Sequence, residues 1–86
     1  MKKQYSYPCV FEQARNNVSF YFPDFPAVGT HENIEKGVPV ARELLRESIL
    51  QYKDRNQPLP PPSNPKDIKL YDSSNQIVFI SIVEVL

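Results

Sequence analysis

The chain has 86 residues with ten basic and ten acidic side chains, and so no formal net charge. That length allows one domain with a modest core, burying about 60% of the unfolded surface, and association is a common way to complete such a fold. Charge balance argues against a general nucleic-acid or membrane binder, which carries a basic face. No apolar run approaches the roughly 20 residues that span a bilayer, and Met1-Lys2-Lys3 leads into a polar, aromatic strand, so a cytoplasmic location is expected.

Tyr5-Ser6-Tyr7-Pro8-Cys9-Val10-Phe11 alternates with period 2. Tyr5, Tyr7, Cys9 and Phe11 share one face of a strand, with Gln4, Ser6 and Pro8 on the other. Pro8 has no N–H to donate, which predicts an unpaired side at that point. A second strand follows, with Val18, Phe20 and Phe22 set against Ser19 and Tyr21. The polar link between them contains Asn16-Asn17, expected to supply left-handed conformations to a hairpin. Cys9 is the one cysteine, so no internal disulfide is possible, and its neighbours predict a small buried hydrophobe.

The second strand is stopped by Phe22-Pro23-Asp24-Phe25-Pro26, where two prolines fix a corner. Asp24 is expected to bond nearby backbone N–H groups of that turn. Ala27-Val28-Gly29-Thr30-His31 reads as a short third strand, with His31 facing solvent or a partner.

Ala41, Leu44, Leu45, Ile49 and Tyr52, with Ser48, make one apolar stripe at helical spacing. The opposite face of Arg42, Glu43, Arg46, Glu47, Gln51 and Lys53 is expected to be solvated, with a weak Glu43–Arg46 pair. Pro39 suits only a first turn, so the helix starts either near Val38 or earlier, with Asn33 as cap and an irregular first turn. The helix is placed at about 34–54.

Residues 56–65 hold a proline cluster that favours an extended connector. Arg55, Pro58 and Pro61 match the spacing of a proline-rich ligand, but a stiff connector fits the context better. Lys66–Tyr71 reads as a short strand or extended segment, and Asp72-Ser73-Ser74-Asn75 as a turn. The final strand, 76–86, is apolar on both faces from Ile77 to Ile80, which predicts cover on both sides or pairing with another chain.

The order β-β-β-α-β predicts a single α+β two-layer domain over 1–86, an antiparallel sheet with one helix. Chemistry is sparse. Gly29 and Gly37 stand alone, so there is no phosphate loop, and one histidine with one cysteine cannot build a His/Cys metal site, while the scattered carboxylates could meet only through tertiary contact. Neither a catalytic residue nor a cofactor is expected.

Tyr7-Pro8-Cys9-Val10-Phe11 and Val18-Ser19-Phe20-Tyr21-Phe22-Pro23-Asp24-Phe25-Pro26 together resemble the opening hairpin of HicB-type antitoxins. The likeness continues through Thr30, the helix at Ala41-Arg42-Glu43-Leu44-Leu45, Pro58-Leu59-Pro60 with Pro62-Ser63, and Pro65 with Asp67-Ile68, to the terminal strand. It implies a partial ribonuclease-H-like fold without catalysis, which binds and masks a small HicA-type mRNA-cleaving ribonuclease toxin. Many relatives add a DNA-binding domain after the last strand. The sequence given ends there at Leu86, so direct operator binding is not expected. Tyr21, Asp24, Phe25, His31 and Glu32, around the corner and third strand, are the expected partner-facing residues. A homodimer or higher homo-oligomer is expected, with no membrane association. The alternatives are a self-associating regulatory module and a residual metal-dependent nuclease.

Overall fold

The computed structural model describes residues 2–72 and 74–85. Strands β1 (Lys2–Gln13), β2 (Val18–Tyr21) and β3 (Val28–His31) precede helix α1 (Ile34–Asp54), and β4 (Gln76–Val85) follows it. The four strands form one antiparallel sheet in the order β3-β2-β1-β4, with α1 packed on one face. This is the α+β two-layer domain that the alternation and the single apolar stripe predict. The final strand is described to Val85, and Leu86 lies outside the described residues.

Period-2 alternation sets what the helix covers. Tyr5, Tyr7, Cys9 and Phe11 are all buried, and in register they meet Ile82, Ile80, Val78 and Gln76 of β4. Phe20 from β2 joins them, and Ala41, Leu45 and Ile49 close the core from the helix. Burying each of these large side chains contributes about 1.5–3 kcal/mol.

Phe20 organises both glycines of the chain. It stands opposite Gly29 in the β2–β3 register, and a Cβ on Gly29 would lie 2.4 Å from the Phe20 ring. Gly37 in α1 brings the helix backbone against the same aromatic layer, where a Cβ would lie 3.3 Å from Phe11. Missing side chains at 29 and 37 therefore let two elements close over one ring.

Asn33 settles the helix start. Its side chain accepts the Lys36 N–H at 2.9 Å, and α1 begins at Ile34. Pro39 thus sits inside the helix, where it removes one main-chain hydrogen bond, and the surrounding packing tolerates that loss. Asn56 ends the helix in the left-handed region, with φ of 53°. The N–H of Asn56 reaches Lys53 O at 3.0 Å and that of Gln57 reaches Tyr52 O at 2.9 Å, the paired bonds of a Schellman cap.

Three local expectations are corrected. The hairpin link needs no left-handed residue: Ala14 N–H bonds Asn17 O at 2.8 Å, and Asn56 is the one non-glycine with positive φ among the described residues. Of the two readings of Lys66–Tyr71 the strand is absent, and the extended one holds at Ile68 but not at Lys66-Asp67. Asn64 accepts from Lys66 N–H and starts a 3-10 turn at Pro65–Asp67 instead, because a side-chain cap there competes with extension. Arg46 is not simply solvated: it lies 3.8 Å from Glu43 and reaches across to Glu84 of β4 at 3.0 Å. The Asp72 turn does form, closed by Asn75 N–H to Asp72 O at 3.1 Å, with Ser73 outside the described residues.

Candidate functional site

The proline corner between β2 and β3 is a braced loop. Phe22 N–H bonds Ala27 O at 3.1 Å and Phe25 N–H bonds Phe22 O at 3.3 Å, which folds the six residues back on themselves. Phe22, Phe25 and Ala27 point inward and are buried, while Pro23 and Pro26 stay exposed. Phe25 is gripped edge-on by Tyr7, at 4.7 Å between ring centres, and by Tyr52 of the helix at 5.6 Å. Such aromatic pairs contribute about 0.5–1.5 kcal/mol each beyond area burial.

The proline-rich connector is fastened at two points, one on this corner and one on β1. Ser63 donates its main-chain N–H, at 3.0 Å, and its hydroxyl to the two Asp24 carboxylate oxygens. The Tyr7 hydroxyl donates to Pro60 O at 2.7 Å. Burial, then the nearby Asp24 charge, raises the Tyr7 phenol above its usual pKa, so it remains a hydrogen-bond donor. Leu59, just before the tie at Pro60, packs on the core. The connector is thus a strap across the corner, as a stiff extended segment should be.

Beside the strap lies a groove of about 340 Å³. Pro26, Ala27 and Val28 line one side and Leu44, Ser48 and Tyr52 of α1 the other, with Glu47 and Arg55 in the polar lining; the Val28 side chain, opposite Tyr21 in register, turns to the sheet face away from the helix. Val28 is 71% exposed, the most solvent-facing aliphatic side chain among the large hydrophobics described. The groove is open and half polar, suited to a surface that docks rather than to a small molecule held inside.

The five residues expected to face a partner fall in three places. Tyr21 turns to the sheet face away from the helix, level with Val10 and Val28 in register. Its phenol is raised by burial and then by the nearby Glu12 carboxylate. Asp24 holds Ser63 rather than nearby backbone N–H groups, which corrects the simple turn assignment. Phe25 is only 5% exposed and belongs to the core; the corner's reversal turns its ring under the strap. His31 and Glu32 lie at the far end of β3, about 10 Å along a four-residue strand. There His31 Nδ1 accepts the Glu32 N–H at 3.0 Å, and Glu32 pairs with Lys36 at 2.8 Å.

Val28, Ser63 and Pro60 were not singled out by sequence pattern. Val28 carried a signal of a kind, a β-branched side chain directly after the corner. Pro60 and Ser63 fall in the proline stretch that the resemblance covers, but nothing local ties them to Tyr7 and Asp24, which lie 53 and 39 residues away. Cys9 is wholly buried and its thiol is pushed up to about 12 by desolvation, which leaves it protonated and unreactive at neutral pH. Among the described residues, no three His, Cys, Asp or Glu side chains come together as a metal site requires. No helix among the described residues is long and apolar enough to cross a membrane. No protein-family model and no curated protein matches this chain.

Proposed function

We propose that this chain is a binding module that masks a small HicA-type ribonuclease, in the manner of the HicB-type antitoxins its sequence resembles. The observation that carries the reading is the strapped corner. Exposed Pro23 and Pro26 are held on a loop braced by Asp24–Ser63, beside a groove and a connector that Tyr7 of β1 ties down at Pro60, and exposed Val28 follows at the start of β3 on the face away from the helix. A surface ordered before it meets its partner loses little conformational entropy on binding, and the gain goes into affinity.

The corner supplies an apolar centre, and Glu47 with Arg55 a charged rim. A ribonuclease active site is cationic, so the acidic Glu47 of this edge helps steer the encounter. Masking then follows from steric cover, with no bond made or broken by this chain. Tyr21 contributes from the flank of the corner, whereas Asp24 and Phe25 act from within by fixing its shape.

Co-expression with the product of the adjacent small open reading frame tests the reading. Relief of growth arrest, with recovery of a one-to-one complex, is the expected result. Persistent arrest with no complex removes the antitoxin function.

A further inference from the structure

The two edges of the sheet are unlike. The β3 edge is four residues long and follows the proline corner, so it offers little to another strand. The β4 edge is ten residues long, and no proline, lysine or arginine interrupts Gln76–Val85. Glu84 is its one charged residue, and Arg46 already pairs with it.

Hydrogen-bond alternation fixes which groups this edge presents. Ala14 and Asn17 close the first hairpin, so Glu12 and Val10, two and four residues back, turn their main-chain groups to β2. Pro8 falls in the same phase, where its missing N–H costs nothing to β4. Tyr5, Tyr7 and Cys9 therefore bond Ile82, Ile80 and Val78, and the main-chain groups of Ile77, Phe79, Ser81 and Val83 point outward from the sheet. No main-chain bond from another segment meets them among the described residues.

The side chains of the same strand are symmetric about Ser81. Phe79 and Val83, 50% and 52% exposed, lie two residues to either side on the face away from the helix. We propose that a second copy of this chain pairs with β4 in antiparallel fashion about a two-fold axis at Ser81. Phe79 of each copy then faces Val83 of the other, Ile80 faces Ile82 on the helix side, and no like charges meet. An axis at Ile80 instead sets Phe79 against Ser81 and leaves the apolar pair unmatched. The result is a continuous eight-stranded sheet with the proline corners at its two outer ends.

Sedimentation of the full chain tests the pairing, and Ser81→Cys tests its register. Directly opposed residues of an antiparallel pair sit about 5.5 Å apart or closer, within reach of a disulfide. With Cys9 buried, a mild oxidant should convert the variant to a covalent dimer. Phe79→Lys and Val83→Glu should each weaken association by about tenfold or more, and the two together should restore it through paired opposite charges. Both sites are half exposed, and circular dichroism confirms that the variants fold. A monomer at every concentration overturns the proposal, as does a dimer that neither cross-links at position 81 nor recovers in the double variant. The inference is independent of the toxin reading: a monomer leaves masking intact, and failure to mask leaves the β4 pairing intact.

Discussion

The carboxylate of Asp24 holds both the main-chain N–H and the hydroxyl of Ser63, 39 residues further along the chain. This contact joins the corner after β2 to the connector after α1, and with Tyr7–Pro60 it makes one rigid edge from two loops. Asp24→Asn keeps the size but weakens a charge-assisted pair, and Ser63→Ala removes the hydroxyl. Each should lower stability by about 1–3 kcal/mol. A double-mutant cycle in urea should show coupling of about 1 kcal/mol or more.

Tyr7→Phe should release the strap while leaving the core filled. Losing one hydrogen bond costs about 0.5–1.5 kcal/mol, and the Pro60 carbonyl becomes open to water. Limited proteolysis should show faster cleavage within residues 56–65, with the rest of the chain resistant.

Gly29→Ala should be far more damaging than Gly37→Ala. The first places a Cβ 2.4 Å from the Phe20 ring, the second 3.3 Å from Phe11. Helix propensity also favours alanine at 37 by about 1 kcal/mol, which offsets part of the crowding. Overpacking at 29 should cost about 1–3 kcal/mol, and much of it should vanish in a Phe20→Leu background, where the ring is gone. Thermal melts of the four proteins check the prediction.

Alkaline pH should destabilise the fold in a defined window. Folding raises the Cys9 thiol from 9.0 to about 12, because burial opposes the thiolate. Below pH 9 both states hold the proton and stability is unaffected. As pH rises from 9 toward 12 the unfolded chain releases it first, and stability falls by up to about 1.4 kcal/mol per pH unit. Tyr7 and Tyr21, both raised above 10.0, act in the same direction at the upper end. Cys9→Ala should flatten the start of that slope in denaturation measurements between pH 8 and 10.

Much of this fold was legible because its signals are local. The alternation from Tyr5 to Phe11 named the covered face, the stripe from Ala41 to Tyr52 named the helix, and the paired prolines named the corner. Asn33 and Pro39 gave competing signals for the helix start; the Asn33 cap marks it, and the packing of the helix on the sheet carries the internal proline. The candidate site was harder to read. Asp24 looked like a turn residue because its true partner is distant, and Phe25 looked exposed because Tyr52 approaches only after the helix docks. The open side of β4 lay between two expectations. Its helix face is covered by the chain itself, but Phe79 and Val83 on the other face are not.

Masking is tested most directly by titrating the purified chain into an RNA-cleavage assay with a HicA-type ribonuclease. The account predicts loss of cleavage at one equivalent, and a shift of at least about tenfold in the inhibitory concentration for Val28→Lys, whose exposed position leaves the fold unchanged. Undiminished cleavage at a tenfold excess of the folded chain would contradict it.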